Sequence, residues 1–417
     1  MPVIPFKLHG LMVPVLFCSV SFPATVLGLT LAEAEQRALA RNPVLSATVA
    51  AADAAEGDAR QSGLLPNPEL SYSRENLGND SLTGLDGPAA TWIVSQRMGL
   101  AGQRGARRDG ARSEAIAAQV RVQRQRDLLL AEVRASWVAV LAAQQRVAFA
   151  DELGQVASNT RDAVSGQVKA GKVSPVELTR LDVAAAALQR RGQQAAQSLV
   201  VARQKLASLQ GLSAPDFGAL PDQMPPVRPL PSQDVLEQAR QANPVVREAE
   251  ALTRSREAGL QEARAGRFPE ITLSVGQTQY EDAGESAWQM GVSVPLPLFD
   301  RNQGAAQAAQ ARLIEARAQA EVVSLELQAE LSSLYSQVQM LGLQLTTFEK
   351  TVLPSSEEAF SAISKGYRYG KFGLLDVLDA QRALIDTRFD YLDTLIEYHR
   401  QRNQLDALLG LTLENPL

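Results

Sequence analysis

The chain has 417 residues, of which 45% are hydrophobic, 21% charged and only 5% aromatic, with a formal net charge of −5. That balance excludes a disordered polypeptide and the broad basic surface that nucleic-acid binding requires. Abundant Ala with few aromatics favours long, closely packed helices over one thick globular core.

The first 28 residues hold one cation that is charged at neutral pH, Lys7, then an apolar run from Leu11 to about Phe22, then Val26-Leu27-Gly28. The pattern predicts a secretory signal peptide cleaved after Gly28; the run is short for a spanning anchor. The single cysteine, Cys18, lies inside that run and follows Leu16-Phe17, where a lipidation site would carry small residues. Beyond residue 28 there is then no thiol for a disulfide or a metal, and one histidine, His399. No later apolar run reaches the roughly 18 residues of a membrane helix. An exported chain of this kind is free in the periplasm, secreted, or in an outer membrane as β-structure.

After the leader, a helix is predicted over 30–62, with Thr30 and Glu33 as a capping box. Strands at about 69–76 and 91–98 flank a Gly/Asp/Asn-rich loop at 77–88. A rod starting at Arg104 runs unbroken for about 90 Å. In it Leu130, Val133, Trp137, Val140 and Val147 follow a heptad, with Gln144 filling one place. The rod turns at Gly171 and returns as a helix over 175–210, making a long hairpin of 104–210. Residues 212–232 are a Pro-rich linker with no regular structure.

The second half repeats the plan. A helix is expected at 233–265, strands at about 270–280 and 287–296, and a hairpin at 303–409 with a kink at Pro354. Trp288, Met290, Val292 and Val294 alternate with Gln289, Gly291 and Ser293, the period of a half-apolar strand. Pro295 and Pro297 block its continuation, Leu298-Phe299 would pack below it, and Asp300 or Asn302 would cap the next helix. Leu327, Leu331, Leu334, Val338, Leu341, Leu345, Phe348 and Val352 form an unbroken seam. This rod turns at Gly370 and returns over 374–409.

The halves, 29–211 and 233–417, keep one register. ALARNPVL (38–45) returns as ARQANPVV (239–246), and KAGKVSPVEL (169–178) as RYGKFGLLDV (368–377), each about 200 residues on. Four strands cannot close a membrane barrel, and an open edge is forbidden in lipid. If the strands are in a membrane, several copies must share one barrel, and three copies give twelve strands. Trp92 and Trp288 sit at matching places near the starts of the second strands; read alone, they also fit ordinary core aromatics.

The opening LTLAEAEQRALARNPVL, the duplicated helix–strand–strand–helix–helix plan and GKFGLLDVLDAQRALID resemble the TolC-like outer-membrane factors of tripartite efflux pumps. GLLPNPELSYSREN and VPLPLFDRNQGAAQAA resemble its heavy-metal branch, the cobalt–zinc–cadmium type. The resemblance implies a mainly α chain with a small β part, forming a homotrimer: a twelve-stranded outer-membrane barrel continuous with a periplasmic helical tunnel. It implies a periplasmic adaptor and a proton-driven inner-membrane transporter as partners, and a conduit without catalysis, cofactor or resident metal site.

The same resemblance makes the turns at Gly171-Lys172 and Gly370-Lys371 the tips that meet the adaptor. Both lysines, and Phe372 in place of a base, depart from the family pattern. It places a gate at Asp376 and Asp379, six carboxylates in a trimer, with Tyr367 tied to Glu177 on the neighbouring hairpin. Read alone, the two aspartates are equally ordinary solvated helix charges. Export of organic compounds through the same tube, or a periplasmic coiled-coil adaptor, are the competing readings; an adaptor would have one hairpin, not two.

Overall fold

The computed structural model describes residues 29–77, 88–99, 102–221, 223–241, 243–281 and 283–410. The expected signal peptide (1–28), most of the loop at 77–88, Asp282 and Leu411 lie outside them.

Each expected opening helix is two helices. α1 (Leu31–Arg41) is followed by α2 (Pro43–Ser62), and α5 (Gln233–Gln241) by α6 (Pro244–Ala265). The Asn-Pro pair makes each break. Proline is pre-organised for the first helical position but cannot continue the preceding ladder. Asn42 Oδ1 accepts the Val44 and Leu45 N–H groups at 2.9 and 3.1 Å, and Asn243 Oδ1 accepts that of Val245 at 2.9 Å. The capping box expected at Thr30 and Glu33 is present.

Four strands form one antiparallel sheet in the order β1 (Glu69–Glu75), β2 (Ala89–Met98), β3 (Ile271–Tyr280), β4 (Glu285–Ser293). The two halves therefore meet at the β2–β3 pair. Among the described residues, β1 and β4 each leave one edge without a strand partner. β4 stops three residues short of its expected end, because Pro295 and Pro297 offer no N–H to a ladder.

The rods follow. α3 (Gln103–Lys169) has 67 residues, about 100 Å, and returns as α4 (Pro175–Leu209). α7 (Gln303–Thr347) continues through a π-helical turn (Phe348–Val352) into α8 (Leu353–Arg368) and returns as α9 (Leu374–Leu408). The kink expected at Pro354 is that wider turn: the Leu353 N–H reaches back to the Phe348 carbonyl, absorbing the strain of a proline in the ladder. The second-half seam is buried from Leu327 to Leu345 against Leu395, Tyr398, Leu405 and Leu409 of the α9 region. Phe348 is half-buried and Val352 exposed, so the seam ends where the π turn rotates the helix face. Asn302, one of the two expected caps, is the N-cap residue of α7, but neither it nor Asp300 gives α7 a side-chain cap bond. Asn302 is left-handed (φ 59°) and its amide donates to the Ala263 carbonyl at 2.7 Å, while Asp300 accepts the Asn302 N–H.

The Pro-rich segment is a strap. Gln144, the polar place in the first heptad, holds the Leu220 backbone by both its N–H (2.9 Å) and carbonyl (3.1 Å). Tyr398 Oη does the same for Arg228, at 3.1 and 2.8 Å. Asp406 receives Arg228 and Arg402, each at 3.0 Å.

Candidate functional site

The register sorts the sheet into two faces. Tyr72, Trp92, Gln277 and Trp288 form one cross-strand row, and Leu70, Val94, Val275 and Met290 the next. The opposite face carries Ser71, Ile93, Gly276 and Gln289 in one row and Ser73, Thr91, Thr278 and Ala287 in another. The apolar face faces outward: Trp288 is 73% exposed, Met290 86% and Val292 69%. A soluble protein rarely leaves so continuous an apolar sheet face bare. Trp92 is half exposed and stacks on Tyr72 with ring centroids 4.4 Å apart. Neither tryptophan is a core residue of the chain, and the two lie in one row across the sheet. Leu298 and Phe299, expected to pack below the strands, are exposed.

The four gate candidates lie at the far end of the rods, in different surroundings. Glu177 and Tyr367 line one cleft of about 920 Å³ with Ser364, Phe372 and Gln381. Tyr367 has its phenol pushed up from its ordinary value, first by burial and then by the negative Glu177. Glu177 Oε1 accepts Arg180 at 3.3 Å, and its Oε2 is buried without a hydrogen bond. Asp376 accepts the Gly373 N–H at 2.8 Å, capping its own helix. Asp379 is exposed and lines a separate groove between α4 and α9 with Val176, Arg180 and Leu375.

Both turns have one design. Lys172 N–H reaches the Gln167 carbonyl and Lys371 N–H the Gly366 carbonyl, each at 2.9 Å. Gly171 and Gly370 take the left-handed conformation that closes the helix (φ 69° and 72°). Phe372 lies across Gly366, where a Cβ would come within 2.4 Å of its ring.

Sequence reasoning missed two pairs of anchors. Asn42 Nδ2 donates to the Leu209 carbonyl at 3.0 Å, and Asn243 Nδ2 to that of Leu408 at 2.7 Å. Each asparagine thus ties the opening helices of a repeat to the end of its returning helix. The repeated Asn-Pro-Val was the available signal. Gln144 and Tyr398 gave no such signal, since their partners are linker backbone. His399 is buried, bonded to the Pro225 carbonyl, and pushed down to about 4 by burial and then by Arg228. Among the described residues no cluster of His, Cys, Asp and Glu is arranged to hold a metal. No described helix is long and apolar enough to cross a membrane.

A sheet with one bare apolar face and two open edges, carrying helical rods, defines a subunit of a barrel-and-tunnel channel. The outer membrane efflux protein family matches residues 34–212 and again 235–411, and the chain belongs to that family. The cobalt-zinc-cadmium resistance protein CzcC of Cupriavidus metallidurans is 32% identical over 390 residues, 93% of this chain and 92% of that one. The nickel-cobalt-cadmium resistance protein NccC of Alcaligenes xylosoxydans xylosoxydans is 29% identical over 286 residues, 68% of this chain and 64% of that one. Solved structures share the fold. CusC superposes with a TM-score of 0.77 at 20% identity over 91% of both chains. The open-state MtrE outer membrane channel of Neisseria gonorrhoeae gives 0.77 at 22% identity, over 92% of this chain and 89% of that one.

Proposed function

We propose that three copies of this chain close a twelve-stranded barrel in the outer membrane above a periplasmic helical tunnel, and that the channel exports heavy-metal cations. The observation that carries the assembly is the sheet: an edge strand in lipid has no water for its N–H and C=O groups, so β1 and β4 must pair with other copies. Twelve strands are an even number within the range of such barrels. The apolar rows face lipid and the Ser/Thr/Gln rows face the lumen.

The cargo reading rests on similarity to CzcC along nearly the whole of both chains. In this reading the tube is a wet conduit, and a periplasmic adaptor and a proton-driven inner-membrane transporter supply selection and energy. The methionines fit that division of labour: Met98 and Met290 lie on the sheet, Met340 on α7, and Met224 is partly buried against the core, so the four are not gathered as ligands. The tips at Gly171-Lys172 and Gly370-Lys371 meet the adaptor, and Asp379 with the Glu177–Tyr367 cleft forms the gate. A strain lacking the gene, challenged with zinc, cobalt, cadmium, copper and nickel salts and with a panel of antibiotics, tests the cargo. Sensitivity to metals alone supports it; sensitivity to antibiotics alone moves the cargo to organic compounds.

A further inference from the structure

The lysines are spread unevenly. The whole sequence has seven, and four of them, Lys169, Lys172, Lys365 and Lys371, flank the two turns. Arg368 joins them, and all five side chains are exposed. Among the described residues none of the five takes part in an ion pair. The acids nearby are engaged or set back: Glu177 faces Arg180, Asp376 caps α9, and Asp379 lies about one helical turn farther in. The two turns sit side by side, since Lys172, Arg368, Gly370 and Phe372 line one cleft. A chain with a net charge of −5 thus ends in an uncompensated positive collar.

The collar surrounds apolar groups. Tyr369 is 82% exposed, and Phe372, Leu375 and Val176 are about half exposed. These side chains stand on helix ends closed by the matched hydrogen bonds of the two turns, so the end is preformed.

We propose that this end docks an acidic helical-hairpin end of a partner protein, with carboxylates answering the lysines and apolar residues meeting Tyr369 and Phe372. The proposal rests on the adaptor reading above and adds the chemistry of the contact. Like charges crowded on one rim repel, and an acidic partner relieves that repulsion and is steered to the rim. Exposed ion pairs each contribute little, so the lysines set approach and choice of partner while the aromatic centre sets dwell time. Outer-membrane lipid cannot reach the collar, which lies a rod's length from the sheet. The rigid, shaped turns favour a protein over an anionic lipid surface.

The test uses the purified mature protein in detergent and three helical-hairpin peptides that differ only in carrying Glu, Gln or Lys beside the turn. Binding is measured by biolayer interferometry in 50 and 300 mM NaCl. The Glu hairpin is expected to bind about tenfold tighter than the Gln hairpin at low salt, with the preference largely lost at high salt. The variant Lys169→Gln, Lys172→Gln, Lys365→Gln, Lys371→Gln is expected to lose the preference while keeping its oligomer mass. A conducting trimer that binds Glu and Gln hairpins equally, or that prefers phosphatidylglycerol vesicles to the Glu hairpin through the same lysines, overturns the docking chemistry alone. A preparation with neither trimer mass nor conductance overturns the channel reading and this proposal with it.

Discussion

Replacing Asn243 by Ala removes two bonds from a site only 1% exposed. The first is the cap on the Val245 N–H, a loss of about 1 kcal/mol. The second is the amide that satisfies the Leu408 carbonyl, one of the last four of α9 and without an intrahelical partner. Leu408 is half-buried, so water recovers part of that bond, and the orphaned carbonyl costs about 1–2 kcal/mol. The total is roughly 2–3 kcal/mol per protomer. Asn243→Ser keeps an oxygen for the cap but cannot reach Leu408, so it should lose about half as much. Circular dichroism melts at a fixed scan rate, which such assemblies require, should show Ala lowering the midpoint by roughly 3–6 °C and Ser by an intermediate amount. Asn42→Ala should cost at least as much as Asn243→Ala, because Asn42 makes the same pair of contacts in the first repeat and also accepts the Leu45 N–H. An Ala variant within about 1 °C of the wild type, where ~3 °C or more is predicted, would refute the reasoning.

The sheet faces predict opposite tolerances at neighbouring positions: Met290→Arg, on the apolar face, should cost about 2–4 kcal/mol per protomer and deplete folded trimer in outer-membrane fractions, whereas Gln289→Arg should leave its yield unchanged. His399 is held neutral by the fold, so the unfolded chain binds a proton that the folded chain refuses as pH falls below about 6.5. Stability should therefore be full above that pH and drop by roughly 3 kcal/mol per protomer by about pH 4; denaturant melts of His399→Gln should lack that share of the slope. Asp379→Asn removes three carboxylates from the trimer, and reversal potentials in planar bilayers should show cation preference lowered by about twofold. Unchanged selectivity would take Asp379 out of the gate.

The architecture was legible because its signals are periodic and duplicated. Alternation over Trp288–Val292 reports a strand with one apolar face, and spacings of three and four from Leu327 to Leu345 report a helix seam. The breaks at Asn42-Pro43 and Asn243-Pro244 were written in the sequence too, but a proline is tolerated in the first helical turn, so it reads equally as helix interior edge or fresh start. The contacts that hold linker to rods were not legible. Gln144 and Tyr398 bond main-chain groups of a segment without periodicity, and no residue-type pairing announces such a contact. The shared helix of the gate candidates was legible but not their surroundings: Asp376 spends its carboxylate on the Gly373 N–H, whereas Asp379 lines a groove between α4 and α9.

The central claim is that a chain with four strands completes its barrel with other copies of itself. Native mass spectrometry of the mature protein, extracted from outer membranes in mild detergent, tests it most directly. A single species at three times the protomer mass, collapsing to one protomer mass on heating, is the predicted result. A protomer-mass species that stays in solution without detergent would contradict the account.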